Sequence, residues 1–530
     1  MTWRDRLLLA ALSLVVLLPG TFGVSLVDRD EGWYAQVSRE MLQTGDWLVP
    51  HYLGQPWIAK PPLLYWCAAA AFAVFGVHAW AARLVSVLAM TVAVQLVAAL
   101  GAELYNRRVA LFAACSFITA GLPVIVGKMV LTDALLLACC LAATVLLWRI
   151  ATRGASIGRS IGFWLFVGLA ILAKGPAVFV FVGAFTLAVL LISRPLTGKM
   201  PVPQFWLASP VCLAVAAPWY VYVALGAGGT FWQQFLGYEI VSRLVSAPHG
   251  HAGPPGYYVL LSLAGWLPWT VLVPGAVFEA WRARRDDRIA RLLLIWCGVP
   301  WLFLELIPSK LPHYILPCYV PLAILFGRMW DVGLQQVVTS RQRFVLGLWA
   351  WVPMVLGAGL LVTAVVWHEL AWSLAGGVAG AILLGGFALV GRFASQGRLA
   401  PAWGSAVGVI AIFHVIAGLW VLPGFEPYRL SPQIAAQANA LCGPNTEVLV
   451  CGYTEPTVFF YLHRPARVVS AAEIGRAVAE PDAARVLIVR EPEAQVAGLT
   501  IDRGQGWHRL EGFNYVKGRR ETVWITRHPP

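Results

Sequence analysis

Long hydrophobic runs separated by short polar loops occupy most of this 530-residue chain up to residue 422. A helix needs about 20 apolar residues to cross a lipid bilayer, and runs near this length recur throughout the region. The pattern predicts thirteen membrane-spanning helices, which places the two chain termini on opposite sides of the membrane. Their predicted bounds are 7–27, 84–104, 109–126, 131–148, 161–173, 176–193, 204–224, 257–277, 292–307, 312–329, 344–366, 371–391 and 402–422.

Two apolar runs near the N-terminus need separate interpretation. The first, at 7–27, is longer than the core of a typical secretory signal and lacks a small-residue cleavage site, so we expect it to be retained as a span. The second, from Leu63 to Val77, is too short to cross the bilayer and is followed by His78 and Arg83. It predicts an interfacial helix on the outer surface of the membrane.

The character of the chain changes after Pro423, where polar residues return to an ordinary frequency. Short runs rich in β-branched residues predict strands, and helix-forming segments lie before and between them. The prediction is a small extracytoplasmic α/β domain at 431–530, following a membrane domain at 1–425 whose first outer loop is 28–83. Strands are expected at 446–451, 484–489 and 522–526, and helices at 434–441 and 471–479.

The nine cysteines divide by position. Seven lie in hydrophobic segments, where a cysteine is expected to behave as a small buried hydrophobic residue. Cys442 and Cys451 lie instead in the predicted exported domain. An oxidising compartment permits a disulfide between them, which is the alternative to two free thiols.

Composition and charge agree with a polytopic membrane protein. Hydrophobic residues make up 59% of the chain and charged residues 12%, against about 25% charged in soluble domains. The formal net charge of +13 comes from basic groups in alternate loops, starting with Arg4 and Arg6, as the positive-inside rule requires. We therefore expect a cytoplasmic N-terminus, an outer C-terminal domain and no nucleic-acid partner.

Charged side chains gather in the loops on the predicted outer side. Such a set suits a reaction in which a lipid-linked anionic donor enters from the membrane and an acceptor arrives from outside. A lysine or arginine can stabilise a departing phosphate, and a carboxylate can orient an acceptor hydroxyl or take its proton. The alternative for each single cation is snorkelling to lipid headgroups. The residues concerned are Asp28, Asp30, Glu31, Lys60, Asp133, Lys174, Arg243 and Lys310.

Several motifs occur in a recognisable order. The first loop contains Asp30-Glu31-Gly32-Trp33-Tyr34-Ala35 and Lys60-Pro61-Pro62-Leu63-Leu64-Tyr65-Trp66; then come Leu131-Thr132-Asp133, Ala173-Lys174-Gly175, Ala217-Pro218-Trp219-Tyr220 and Ser309-Lys310-Leu311-Pro312 with Tyr314. This series resembles the C-type (GT-C) membrane glycosyltransferases. Within them it is most similar to the bacterial aminoarabinose transferases of lipid A and their protein O-mannosyltransferase relatives.

The resemblance implies an enzyme of the bacterial inner membrane that transfers one sugar, with inversion, from a polyprenyl (undecaprenyl) phosphate carrier. The acceptor would be a lipid or envelope glycan on the periplasmic side, or alternatively a protein. By position, Asp30 and Asp133 correspond to the family's loop carboxylates, and Lys60 and Arg243 to its carrier-phosphate ligands. The full prediction is a catalytic set of Asp30, Asp133 and Glu31, and a substrate-binding set of Lys60, Arg243, Lys310, Tyr314, Lys174 and Tyr238.

Three positions depart from the aminoarabinose transferases. Ala59 stands where they typically have a glutamate before the Lys-Pro pair, and Trp33 where they have an arginine. Tyr238 replaces their histidine five residues before the loop arginine. The phosphate-binding and carboxylate positions are retained. The resemblance therefore supports the family's reaction more strongly than it supports specificity for lipid A.

The remaining expectations concern cofactors, partners and a rival function. We expect no required cofactor; Asp30, Asp133, His249 and His251 are the candidate ligands should a divalent metal bind. The protein is expected to act as a monomer among membrane lipids. A lipid-linked sugar flippase is the alternative from a different class, but it would place charges at mid-membrane and show paired repeats.

Overall fold

A computed structural model describes residues 1–193, 202–227, 231, 233, 235, 237, 241–242, 245–246, 252–368, 370–480, 484–499, 501 and 506–528. The chain divides into two compact units. The first comprises Met1–Phe22, Ile58–Leu64 and Arg83–Val421, and the second comprises Gly23–Trp57, Tyr65–Ala82 and Leu422–Pro530. The predicted division into 1–425 and 431–530 stays a prediction.

The first unit is helical. Among the residues that the structure describes, nine segments are long and apolar enough to cross a membrane, or ten if one bent pair counts as a span. The chain is thus a polytopic helical membrane protein. Its α-helices are Trp3–Leu17, Ala79–Leu104, Arg107–Thr119, Gly121–Lys128, Thr132–Arg153, Ile157–Lys174, Ala177–Ser193, Val202–Leu207, Pro210–Ala227, Tyr257–Gly265, Val273–Ala283, Arg288–Leu306, Tyr319–Gly333, Ser340–Val366, Ser373–Ser395 and Leu399–Ile416, with 3-10 turns at Thr270–Leu272 and Pro312–Cys318 and a π turn at Ala417–Val421.

Four of the thirteen predicted spans fall on shorter or interrupted helices. The run at 7–27 forms a helix of 15 residues, and that at 176–193 forms one of 17. The run at 109–126 is a pair of helices bent by 63°, because Ala120 between them is extended. The run at 257–277 is interrupted near Pro268, whose ring removes a backbone donor and disfavours helix in the residue before it.

The second unit combines helices with two sheets. The chain after residue 22 forms the helix Asp30–Thr44, the antiparallel pair β1 (His51–Tyr52) and β2 (Gln55–Pro56), and the helix Leu63–Phe75, which confirms a short helix in the run predicted to be interfacial. The C-terminal part adds the helices Leu430–Leu441, Pro456–Tyr461, Ala471–Ala479 and Glu491–Val496, a 3-10 turn at Pro423–Tyr428, and the strands β3 (Glu447–Cys451), β4 (Ala466–Val468), β5 (Arg485–Arg490), β6 (His508–Asn514) and β7 (Arg519–His528).

The C-terminal sheet has the order β4-β3-β5-β7-β6. Strands β4, β3 and β5 are parallel, whereas β7 and β6 are antiparallel to their neighbours. The predicted strands at 446–451, 484–489 and 522–526 correspond to β3, β5 and β7, and both predicted helices are present. Strands β4 and β6 were not predicted, because both are largely exposed and lack a continuous apolar run.

The possible disulfide of the C-terminal segment does not form. Cys442 and Cys451 are both free thiols. Successive residues of a strand point to opposite faces of the sheet. Cys451 packs with Leu449 on one face of the sheet, whereas Cys442 packs against the cluster that contains Val448 and Val450 on the other. The sheet therefore separates the two sulfur atoms.

Candidate active site

Two consecutive helices of the first unit bring opposite charges together. Asp133 lies in the first turn of Thr132–Arg153, and Lys174 is the last residue of Ile157–Lys174. A helix stabilises a carboxylate at its N-terminus and a cation at its C-terminus. The two helices pack side by side in opposite directions, so the start of one lies near the end of the next. The ammonium of Lys174 donates to Oδ1 of Asp133 at 2.6 Å.

The 3-10 segment Pro312–Cys318 contributes two more side chains to this pair. Nε2 of His313 lies 3.7 Å from Oδ2 of Asp133. The ring centroid of Tyr314 lies 4.4 Å from Nζ of Lys174, a cation–π contact. Asp133 and Tyr314 therefore hold the same ammonium group from two directions.

Asp133, Lys174 and Tyr314 line a cavity of about 320 Å³ in the first unit. Its polar lining includes Lys60, Asp133, Lys174, Ser309 and Tyr314, and most of the remaining wall is hydrophobic. Among the described residues of this lining, the charged side chains are two lysines and one aspartate. The cavity thus combines an apolar wall with a cationic polar patch, which suits an amphipathic anion.

The hydroxyl of Ser309 has no hydrogen-bond partner among the described residues, although the residue is 1% exposed. Buried hydroxyl groups without partners are uncommon in folded proteins. Ser309 lines the cavity, so its hydroxyl can donate to an oxygen atom of a ligand there. The sequence placed Ser309 and His313 in a tight outer loop but predicted a role for neither; their adjacency to Lys310 and Tyr314 was the available signal.

The ammonium of Lys310 is paired with other groups of the protein. Its ammonium lies 3.1 Å from Oε2 of Glu305 and donates to the carbonyl of Pro254 at 3.2 Å. The same Glu305 carboxylate accepts hydrogen bonds from the backbone of Gly256 and Tyr258. Lys310 thus fastens the segment around 254–258 to the end of the helix Arg288–Leu306, and its predicted contact with a substrate stays a prediction.

Asp30 and Glu31 belong to the second unit. Asp30 is the first residue of the helix Asp30–Thr44, directly after Arg29, whose φ is 69°. Glu31 is fully buried, and its Oε2 accepts a hydrogen bond from the backbone of Val27 at 2.8 Å. This contact ties the chain before the helix to the first turn of the helix and favours a structural role for Glu31. Asp30 is only partly buried.

Four predicted site residues lie outside the described residues. They are Arg243, Tyr238, His249 and His251. Within the described ranges, no group of three His, Cys, Asp or Glu side chains could hold a metal ion. Of the predicted site residues, Lys60, Asp133, Lys174 and Tyr314 line one cavity, whereas Lys310 is paired with Glu305.

Comparison with known proteins gives the family. Residues 59–222 match the dolichyl-phosphate-mannose-protein mannosyltransferase family. The chain is 30% identical over 463 residues to the undecaprenyl phosphate-α-4-amino-4-deoxy-L-arabinose arabinosyl transferase of Edwardsiella ictaluri, covering 83% of this chain and 80% of the relative. With the transferase of the same name from Erwinia tasmaniensis it shares 34% identity over 315 residues, 57% of this chain and 55% of the relative, so that match spans about half the relative's length.

A solved structure supports the same fold. The crystal structure of ArnT from Cupriavidus metallidurans bound to undecaprenyl phosphate superposes with a TM-score of 0.77 at 22% identity, covering 98% of this chain and 97% of that one. The fold of this chain is therefore that of a C-type membrane glycosyltransferase. The match to the Edwardsiella relative, 30% identical along 80% of its length, places the chain in the family of undecaprenyl phosphate-α-4-amino-4-deoxy-L-arabinose arabinosyl transferases.

Proposed function

We propose that the protein is an inverting glycosyltransferase of the bacterial inner membrane. It moves a single sugar from an undecaprenyl phosphate carrier to an acceptor on the periplasmic side. The observation that carries this proposal is the cavity of the first unit, which Lys60, Asp133, Lys174, Ser309 and Tyr314 line together with a hydrophobic wall. A phosphate attached to an isoprenoid chain matches both parts of this lining.

The chemistry requires that the carrier phosphate leave as an anion. As the bond between the anomeric carbon and the phosphate oxygen breaks, negative charge grows on that oxygen, and nearby cations stabilise it. Lys60 and Lys174 serve this purpose. Asp133 and Tyr314 fix the ammonium of Lys174 in advance, so little reorganisation is needed when the charge develops. Ser309 offers a further donor.

The acceptor oxygen forms the new bond to the anomeric carbon from the opposite face of the sugar. Asp30 orients the acceptor and, if the acceptor is an alcohol, takes its proton. An acceptor phosphate is already ionised and would need Asp30 only for orientation. Arg243 is proposed as a further cation for the carrier phosphate, and this proposal rests on the sequence resemblance alone. The reaction as proposed requires no metal ion and is carried out by a monomer.

The names of the relatives support the proposed identity of the sugar donor more strongly than that of the acceptor. The relatives from Edwardsiella and Erwinia are named as arabinosyl transferases that use undecaprenyl phosphate. The departures at Ala59, Trp33 and Tyr238 leave the acceptor open between lipid A, another lipid and an envelope glycan. The match of residues 59–222 to protein mannosyltransferases makes a protein acceptor the second candidate.

The test is transfer of radiolabelled sugar from synthetic undecaprenyl phosphate sugars to membrane lipid and protein fractions. We expect label in the lipid fraction with the wild-type protein, and its loss in Asp30→Asn and Lys60→Ala. Arg341→Ala, a change of an exposed cation outside the cavity, is the matched control and should transfer normally.

The distribution of label separates the alternatives. Label in protein that is lost in the same two variants would make this a protein glycosyltransferase. If no donor is consumed while labelled carrier redistributes across the bilayer of vesicles, the transferase proposal is wrong and a flippase replaces it.

A further inference from the structure

The carboxylate of Asp28 is held by three hydroxyl groups of the C-terminal segment. Ser431 donates to it at 2.9 Å, Thr457 donates to Oδ1, and Tyr515 donates to Oδ2 at 3.3 Å. The backbone N–H of Asp28 in turn donates to the oxygen of Tyr515 at 2.6 Å. The three donors come from the helix Leu430–Leu441, the helix Pro456–Tyr461 and the turn after β6. Asp28 is therefore fixed from several elements at once.

The helix that follows Asp28 is held by the same segment at a second point. Arg39 donates to the carbonyls of Phe459, Phe460 and Leu462 at 3.2, 2.9 and 2.8 Å. These carbonyls belong to the end of the helix Pro456–Tyr461, where backbone acceptors lack partners within the helix. The guanidinium group thus satisfies them while it fixes the helix Asp30–Thr44.

The two helices also lie close together near Asp30. A Cβ atom added to Gly32 would meet the backbone nitrogen of Thr457 at 2.8 Å and Cβ of Pro456 at 2.9 Å. Thr457 is the residue whose hydroxyl reaches Asp28. The first turn of the helix Asp30–Thr44 is therefore placed against the same turn of the C-terminal segment that holds Asp28.

Arg29, between Asp28 and Asp30, adopts a backbone conformation that a non-glycine residue rarely adopts, with φ of 69°. Such a conformation persists when the surrounding structure holds it from both sides. Here the hydrogen bonds of Asp28 hold one side, and the packed helix holds the other. The direction of the Asp30 side chain follows from this arrangement, since Asp30 is the next residue.

We propose that Asp28 is a positioning residue for Asp30, and that the C-terminal segment acts in catalysis by holding Asp28 through Ser431, Thr457 and Tyr515. The inference rests on the proposed function, because it takes Asp30 as the carboxylate that orients the acceptor. Glu455 also faces Asp28, and burial together with this charge raises the pKa of Asp28 to about 6.

The test combines hydrogen exchange with transfer kinetics on the full-length protein in detergent. The variants are Asp28→Ala and Thr457→Val, with Thr457→Ser as the conservative change that keeps the hydroxyl. Ser470→Ala is the matched control, since it removes the N-cap of the helix Ala471–Ala479 in the same unit without touching Asp28.

In Asp28→Ala and Thr457→Val, we expect amides in peptides covering residues 24–34 to exchange about tenfold faster. We also expect kcat to fall about 10- to 100-fold, the range for a displaced catalytic group. The KM for the carrier-linked donor should change less than about twofold, since donor-binding residues belong to the first unit. Thr457→Ser should retain both properties, and Ser470→Ala should alter neither.

Unchanged exchange at 24–34 in Asp28→Ala would overturn the proposal, as would faster exchange without a fall in kcat. An equal fall in Ser470→Ala would overturn it as well, because the effect would then be general loss of stability. A wild-type protein that transfers no sugar would instead overturn the proposed function, and the exchange measurement would still decide whether Asp28 fixes the loop.

Discussion

The ammonium of Lys174 lies 2.6 Å from the carboxylate of Asp133, and the two side chains are only 13% and 6% exposed. Both belong to the lining of the cavity in which we place the carrier phosphate. A buried ion pair of this kind holds each charge in place for the other. The pair therefore has two separable effects, one on stability and one on transfer.

Removing one member of the Lys174–Asp133 pair should destabilise the protein more than removing both. Lys174→Met or Asp133→Leu alone leaves an uncompensated buried charge, which costs about 3–5 kcal/mol. The double variant should recover much of that loss but remain inactive, because the cation for the phosphate is gone. Thermal unfolding in detergent and donor transfer are the two measurements. Arg149→Ala, which breaks the more exposed pair with Glu103, is the control and should lower the unfolding temperature less. A double variant with restored transfer would contradict the assignment.

Lys310→Met should lower stability rather than donor affinity. Its ammonium is committed to Glu305 and to the carbonyl of Pro254. Glu305→Gln should reproduce the effect, since it weakens the same interaction between Lys310 and Glu305. The comparison is the unfolding temperature against the KM for the donor. A raised KM at unchanged stability in Lys310→Met, but not in Glu305→Gln, would instead support the phosphate contact predicted from sequence.

The stability of the protein should depend on pH through Asp28. Burial next to Glu455 raises its pKa from 3.8 to about 6, so the folded state binds this proton more tightly than the unfolded chain. The free energy of unfolding therefore falls as pH rises between these two values, by at most about 3 kcal/mol from this group. Relative to wild type, Asp28→Asn should gain stability over that range. Unfolding curves at pH 4, 5, 6 and 7 measure the difference; parallel curves would mean that Asp28 does not titrate there.

Gly32→Ala should displace the helix Asp30–Thr44 from the C-terminal segment. The new Cβ atom would approach the backbone nitrogen of Thr457 to 2.8 Å, and overpacking of this kind costs about 1–3 kcal/mol. Gly158→Ala is the matched control, because a Cβ atom there meets nothing within 4 Å and the change favours helix. The comparison of unfolding temperatures checks the prediction; equal values for the two variants would contradict it.

Cys442 and Cys451 should both react as thiols after unfolding. Denaturation without reductant, followed by alkylation and mass spectrometry of the C-terminal peptides, should add one label to each residue. A reductant should leave the unfolding temperature unchanged. A peptide pair joined by a disulfide in protein recovered from bacterial membranes would contradict the separation of the two sulfur atoms by the sheet.

Sequence patterns predicted local features well. Apolar runs located helices along the membrane region, and the runs at β3, β5 and β7 located the buried strands. A buried segment needs a run of consecutive apolar residues, and such a run is visible in the sequence. The breaks near Ala120 and Pro268 were missed, since average hydrophobicity does not register a single interrupting residue. Strand β6 was missed because its stability comes from pairing with β7 rather than from its own apolar residues.

By itself, the sequence determined the membrane class, the order of the helices, the C-terminal α/β segment and, through ordered motifs, the residues Lys60, Asp133, Lys174 and Tyr314. The membrane class, the helices and the α/β segment follow from local composition and spacing, whereas the four residues were predicted from ordered motifs that resemble a known family, and their roles stay predictions. Only the tertiary structure decided which charges are partners. Lys174 meets Asp133 across 41 positions, and Thr457 meets Asp28 across 429. A hydrogen bond between such distant residues depends on how whole helices pack, and no local pattern of hydrophobic and polar residues carries that information.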